Sequence, residues 1–518
     1  MAEKKTAKTS TAKEKTTNRN ATTSSKKDVK NDDVCLESVT NKKSVLFVAS
    51  EANPFIGTGG LADVIGSLPI ALAESGKYDV RVILPLYGDM EQGYRSHLTF
   101  KGNFNVGLGW RNQYCGLFSY KRKNVTFYFI DNEYYFKRSG IYGFFDDGER
   151  FAFFSKAVLD SVAYLDYYPD IIHCHDWQTA LSVVYLKTIY SKSYGFDRMH
   201  AIFTIHNIEY QGKYDKSLLG DLFGLPDSVA DILDYDGCIN LMKGAIQLAD
   251  YVTTVSPTYA KEIGYEYYSH GLHYEINEVR EKITGILNGI DVKTYNSETN
   301  ESLFKNFSSN NLDGKKVCKE ELQKLLNLPV RENVPVIAVI SRLVSHKGLD
   351  LIKYCLEDLL SEDVQVVILG KGESYYESYF GYIADKYQGK CRAIIAYNKD
   401  LALKIYSGAD IFLMPSKQEP CGLSQMIACR FGAIPVVRST GGLKDSITPF
   451  NNETRDGGIG FVFENYNADE LHYVIKDAIF TYGDRETWNK LVKRAMNTDF
   501  SWTKSAKEYE KLYDLYNK

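Results

Sequence analysis

The chain has no two cysteines close enough in sequence to share a metal or to suggest a disulfide framework. Its nine cysteines, at positions 35, 115, 174, 238, 318, 355, 391, 421 and 429, include no CxxC pair. That scatter fits free thiols in a reducing cytosol and excludes a zinc ribbon. His173 and His175 stand two apart, yet no second His/Cys/Asp cluster has ligand spacing, so no metal is expected. Long apolar runs are also missing: none approaches the roughly eighteen residues of a membrane span, and no signal-peptide core is present. A dominant charge is lacking too. The formal net charge is −4 over 518 residues, which gives no footprint for nucleic acid or an anionic membrane.

The charge is unevenly laid out. Residues 1–43 hold eleven Lys/Arg against six Asp/Glu, a net of +5, and almost no large apolar side chains. Such a segment cannot bury enough surface to offset its ordering entropy, so a disordered basic tail is expected over 1–43. A transit peptide is disfavoured by Glu3, Glu14 and Asp32-Asp33, with Arg19 as the only arginine. The length of the remainder points to two or three domains.

What is present is a strand–turn–helix rhythm, repeated. Ser44–Ala49, Val80–Leu84, Val125–Ile130, Ile171–His175 and Ala201–His206 read as strands. A second series follows at Val334–Ile340, Val364–Leu369, Ala393–Ala396, Ile411–Met414 and Ile434–Val437, with helices such as Gly348–Leu360 and Leu401–Gly408 between. Continuous apolar runs of this kind mark strands covered on both faces. The fold class expected is therefore α/β, with two doubly wound Rossmann-like domains facing a central cleft. The boundary falls near Gly285–Asp291: one domain over 44–286, the other over 287–498, and a terminal helix over 499–518.

Two glycine turns carry chemistry. Gly57-Thr58-Gly59-Gly60-Leu61-Ala62-Asp63 follows the first strand, and Thr440-Gly441-Gly442-Leu443-Lys444-Asp445 follows Ile434–Val437. Each is a strand end opening into a helix, where free backbone N–H groups meet an anion. One in each half suggests two lobes sharing a phosphate-bearing ligand, the layout of a nucleotide-sugar transferase. Arg342 and Lys347 stand on the loop after Val334–Ile340, placed for a diphosphate, though alone they also fit two surface cations. Glu419-Pro420-Cys421-Gly422-Leu423-Ser424 follows the strand Ile411–Met414. Its carboxylate can accept sugar hydroxyls while the free amides of Cys421 to Ser424 hold a phosphate. His175 ends an apolar strand, within reach of substrate, and His173 reads as core.

In these segments the chain resembles the bacterial glycogen synthase and plant starch synthase family, retaining glucosyltransferases of the GT-B fold. The resemblance runs through Ala49-Ser50-Glu51, Thr58 to Val64, Asp146 to Phe151, His175 to Gln178, His206 to Gly212, Val255 to Tyr259, Leu287 to Asp291, Ser341 to Leu343 with Lys347-Gly348, Glu419 to Leu423, Thr440 to Asp445 and Asp499 to Trp502. It implies transfer of α-glucosyl from ADP-glucose to the non-reducing end of an α-1,4-glucan such as glycogen, in the cytoplasm and without a cofactor. It further implies that Arg342 and Lys347 bind the diphosphate, with Gly60 and the amides of Gly422 and Leu423 nearby. Glu419 would hold glucose hydroxyls, His175 the 6-hydroxyl region, and Asp63, Asn288 and Tyr397 further donor groups, while the terminal helix crosses back onto the first lobe. The family pattern has lysine immediately before Thr-Gly-Gly-Leu; here that place is Gly57. Restoring the charge by Gly57→Lys is expected to alter the apparent KM for donor. A non-catalytic glucan-binding homologue and a transferase using UDP-glucose are the alternatives.

Overall fold

The computed structural model describes residues 42–516. The tail expected over 1–43 thus lies outside the described residues except for its last two positions. One of these corrects the boundary: Lys43 opens the first strand, its ammonium bonded to the Tyr513 carbonyl at 2.6 Å.

The first lobe is built on β1 (Lys43–Val48), β2 (Tyr78–Pro85), β3 (Thr99–Leu108), β4 (Arg111–Arg122), β5 (Val125–Asp131), β6 (Ile171–His175) and β7 (His200–Ile205). A small antiparallel sheet of β8 (Lys213–Asp215), β9 (Asp234–Tyr235) and β10 (Cys238–Asn240) follows, before β11 (Tyr251–Thr254) and β12 (Ile283–Gly285) return to the main sheet. The nine main strands lie in the order β12-β11-β7-β6-β1-β2-β5-β4-β3. The first seven in that order are parallel, with Val45 facing Val80 on one side and Ile171 on the other. β4 and β3 extend the edge as an antiparallel hairpin. Reading for continuous apolar runs misses that hairpin, because TFKGNFNVGL alternates and leaves its outer face wet.

The second lobe carries β13 (Val336–Ile340), β14 (Gln365–Gly370), β15 (Cys391–Ile395), β16 (Ile411–Met414), β17 (Ile434–Arg438) and β18 (Phe461–Phe463), in the order β15-β14-β13-β16-β17-β18. All five pairings are parallel. Counted along the chain this is the doubly wound order 3-2-1-4-5-6, and the parallel strands of the first lobe repeat it with one strand more. Each sheet therefore has a switch point, between β1 and β6 in one lobe and between β13 and β16 in the other. Ligands of such sheets bind at the carboxyl ends of the strands flanking the switch.

The helix Trp502–Asp514 leaves the second lobe and packs against the first. Trp502, Ala506, Tyr509, Leu512 and Tyr513 are buried in one cluster with Val45, Phe47, Ile65, Leu68 and Val80. The Tyr513 hydroxyl meets Nδ1 of buried His173 at 2.8 Å, and His173 Nε2 meets the Thr204 hydroxyl at 2.6 Å. His173 is core, as its sequence position suggested.

Candidate active site

The four strands at the two switch points deliver most of the functional side chains. β1 runs into Glu51 and the first glycine turn, and β6 into His175 and Asp176. β13 runs into Arg342 and Lys347, and β16 into the turn ending at Glu419. Between the lobes lies a cavity of about 1730 Å³ lined from both sides.

On the first-lobe wall, Gly59 and Gly60 face open space at the start of the helix Gly60–Glu74. Glu51 holds the turn by accepting from the Thr58 amide at 2.6 Å and its hydroxyl at 2.9 Å. Burial pushes the Glu51 carboxyl up from 4.5 to about 7. Asn53 Nδ2 donates to Asp63 at 2.6 Å, and burial raises the Asp63 carboxyl as well. At Gly57 a Cβ would stand 2.5 Å from Ala62 Cβ and 2.9 Å from Asn53 Oδ1. A lysine there would displace the turn besides adding charge, so Gly57→Lys is not a clean restoration.

Asp176 takes φ = +58°, a strained value for a residue with a side chain, and accepts from the His206 amide at 2.7 Å. Burial raises its carboxyl to about 7. His206 lines the cavity, while His175 does not. His175 is fully buried, stacked on both Phe47 and His173, which also touch each other, with Nδ1 2.9 Å from His206 Nε2. His175 Nε2 is buried without a hydrogen-bond partner among the described residues, and the imidazole that lines the cavity is the next one, His206. Burial keeps both rings neutral, His206 down to about 3 and His175 well below its ordinary value.

On the second-lobe wall, Lys347 Nζ donates to Glu419 Oε2 at 2.7 Å and the Ser416 hydroxyl to the same oxygen at 2.9 Å. The two loops come this close because residue 348 is glycine. It has φ = +72°, and a Cβ there would lie 2.0 Å from the Pro415 carbonyl oxygen. Arg438 Nε bonds the Ser416 carbonyl at 3.0 Å and braces the turn from behind. The Arg342 side chain makes no hydrogen bond or ion pair among the described residues. It lines the cavity, as do Lys347, Glu419, Cys421, Gly422, Leu423, Ser424, Asn288 and Tyr397. Asn288 is buried with its side-chain oxygen unpartnered, and Tyr397 is largely exposed.

Gly441 and Gly442 are corrected. Both are buried and neither lines the cavity. The Gly441 amide is taken by Glu262 of the first lobe at 3.1 Å, and the Gly442 amide by the Glu419 carbonyl at 3.1 Å. An added Cβ would lie 2.0 Å from the Glu419 oxygen at Gly441 and 2.2 Å from the Cys421 oxygen at Gly442. These glycines let the second turn back the Glu419 segment instead of meeting a ligand.

Sequence reading placed the His206 imidazole near a carboxyl edge within reach of substrate but missed Glu51 and Asp176 as wall residues, although each follows a strand at its carboxyl end, the same signal that singled out Arg342. The walls differ in charge. The first lobe lines the cavity with Glu51, Asp63, Glu91, Asp147, Asp176 and Glu209 against Arg122, while the second lines it with Arg342, Lys347, Lys399 and Lys417 against Asp291, Asp350 and Glu419. Among the described residues no group of three or more His, Cys, Asp or Glu is arranged to hold a metal.

Comparison with known proteins agrees with this architecture. The starch synthase catalytic domain family matches residues 44–278, and the glycosyl transferases group 1 family matches 323–495. A glycogen synthase of Clostridium acetobutylicum is 51% identical over 474 residues, covering 90% of this chain and 99% of that protein. One from Desulforamulus reducens is 48% identical over 471 residues, covering 90% and 98%. The solved catalytic domain of starch synthase IV from Arabidopsis thaliana, bound to ADP and acarbose, superposes with a TM-score of 0.85 at 35% identity, covering 92% of this chain and 99% of that one. Sucrose-phosphate synthase from Thermosynechococcus elongatus, at 15% identity and a TM-score of 0.57, shares the fold alone. The two lobes form a GT-B glycosyltransferase fold, and the chain belongs to the glycogen synthase and starch synthase family of glucosyltransferases.

Proposed function

We propose that the chain transfers glucosyl from ADP-glucose to the non-reducing end of an α-1,4-glucan, with retention of configuration. The observation that carries this reading is the division of charge across the cleft. A sugar diphosphate has an anionic end and a hydroxylic end; Arg342, Lys347, Lys399 and Lys417 gather on the second-lobe side, while carboxylates outnumber the one arginine, Arg122, on the first. In this reading the lobe of 287–498 takes the nucleotide, and the lobe of 44–286, completed by 499–518, takes the glucan. The solved starch synthase IV domain held both ADP and acarbose, which supports a domain pair that takes a nucleotide together with a sugar ligand.

Lys347 is paired with Glu419. An arriving diphosphate meets Arg342 and competes for Lys347, and the ammonium it draws away frees the Glu419 carboxylate to accept sugar hydroxyls. As the bond from C1 to the diphosphate lengthens, negative charge grows on the phosphates and positive charge on the sugar. The cations and the Gly422 and Leu423 amides stabilise the first. Glu51, Asp63, Asp176 and the neutral imidazole of His206 face the second without adding a repelling cation. The leaving phosphate then takes the acceptor hydroxyl proton on the same face, so the step as proposed needs no cofactor and no enzyme nucleophile. Closing the lobes excludes the water that would hydrolyse the donor. We place the reaction in the cytoplasm, supported by eight free cysteines among the described residues. No described helix is long and apolar enough to cross a membrane.

Incorporation of labelled ADP-glucose into glycogen by wild type and Glu419→Ala is the test. Wild type should label the glucan and the variant should lose about a hundredfold or more in rate, the scale of removing one preorganised transition-state contact. An unchanged variant would remove the proposed site. Competition with UDP-glucose decides the donor: if UDP-glucose suppresses labelling at equal concentration, the ADP assignment fails.

A further inference from the structure

Two short helices, one from each lobe, grip each other beside the cleft. Glu262, the last residue of Pro257–Glu262, accepts from the Gly441 amide at 3.1 Å and the Thr440 hydroxyl at 2.9 Å. Asp445, near the end of Gly441–Ser446, accepts from the Thr258 amide at 2.6 Å and the Thr258 hydroxyl at 2.7 Å. The helices run head to tail, so each carboxylate serves the first turn of the other. Ser256, which caps Pro257–Glu262 by accepting from the Tyr259 amide, also donates its hydroxyl to the Pro420 carbonyl at 2.6 Å.

None of these side chains lines the cavity, yet all bear on the segment that does. The Gly442 amide donates to the Glu419 carbonyl, and the Gly441 backbone lies too close to the Glu419 carbonyl for any side chain to intervene. Ser256 holds the next carbonyl along. The main chain at Glu419 and Pro420 belongs to the second lobe but is fastened from the first. Charge-assisted bonds of a half-buried carboxylate to backbone amides are among the stronger contacts available for this. Any movement that parts the lobes must break these bonds or turn about them.

We propose that Glu262, Asp445 and Ser256 form an interlobe clasp whose function is to position Glu419, keeping its carboxylate in register with the first-lobe wall as the cleft closes on donor and acceptor. They are positioning residues, acting through Gly441, Gly442 and Pro420. The proposal rests on the reading that Glu419 contacts the donor sugar.

The test measures kcat per ADP-binding site, with sites counted calorimetrically, for Glu262→Gln and Asp445→Asn in the full chain beside wild type and Glu419→Ala. Each clasp variant should lose about ten- to a hundredfold in kcat while its Kd for ADP stays within about twofold, because Arg342 and the Gly422 amides are not touched. A purely structural role would lower the melting temperature and the number of sites and leave the rate per site unchanged. An unchanged rate per site in both variants, with Glu419→Ala inactive, overturns the clasp and leaves the Glu419 reading standing. A fully active Glu419→Ala overturns both. Should Glu262→Gln or Asp445→Asn fail to fold, Thr258→Ala removes one hydroxyl of the same clasp, and an expected loss of about two- to tenfold per site replaces the larger figure.

Discussion

Burial, acting on single side chains, shapes much of the chemistry here. Glu51 sits at the end of an apolar strand with two donors on one oxygen, yet desolvation outweighs those bonds and lifts its carboxyl from 4.5 to about 7. The folded state therefore holds the Glu51 proton over a range where the unfolded chain has released it. Stability from this group is complete below pH 4.5 and is lost as pH rises towards 7. The loss is about 1.4 kcal/mol for each pH unit crossed between those two values. Thermal denaturation across pH 5 to 7 should show wild type falling relative to Glu51→Gln, whose amide keeps the acceptor without the charge. Parallel curves for the two proteins would contradict a raised Glu51 carboxyl. Much of this scale was legible beforehand. Arg342, Lys347 and Glu419 stand on loops after apolar strands, and local punctuation alone locates them. His175 was not: its position at a strand end is the same signal, but His173, Phe47 and His206 close around it, and only packing decides which of two imidazoles meets the cleft.

Among the elements, the terminal helix shows how local pattern falls short of partnership. Trp502, Ala506, Tyr509 and Tyr513 recur at helical spacing and form one apolar stripe. The stripe says that the helix must be covered, and nothing in its period says by what. The cover is β1, β2 and the helix Gly60–Glu74, sealed by the Tyr513 hydroxyl on His173. Removing that hydroxyl leaves a buried ring nitrogen without its partner, so Tyr513→Phe should cost about 1–3 kcal/mol. Urea denaturation measures it, and an unchanged midpoint would mean the contact contributes nothing net. The second glycine turn teaches the same lesson. Thr440-Gly441-Gly442 has the form of an anion site, and the anion it meets is Glu262, brought from a residue 179 positions away.

For the whole molecule, what matters is two sheets of one topology set with their switch points across a shared cavity. The second-lobe side of the cavity carries Arg342, Lys347, Lys399 and Lys417 against Asp291, Asp350 and Glu419, so binding of ADP should depend on ionic strength and on Arg342. Arg342→Ala should weaken ADP by about 1.5–3 kcal/mol, roughly ten- to over a hundredfold, and flatten the salt dependence that wild type shows. Equal affinity of variant and wild type in calorimetry would place the diphosphate elsewhere.

The amino-acid order by itself determined the two α/β halves, the strands that close them and the loops that bear Arg342, Lys347 and Glu419. These follow from apolar runs, glycine and proline, whose effects reach only a few residues along the chain. Tertiary structure alone decided that His206 and not His175 meets the cleft, that Gly441 and Gly442 back the Glu419 turn, that Gly57 has no room for a side chain, and that two helices from opposite lobes clasp each other. Each of these depends on which surfaces meet and which side chains burial excludes from water, and contacts between distant segments are not written in the spacing of either one.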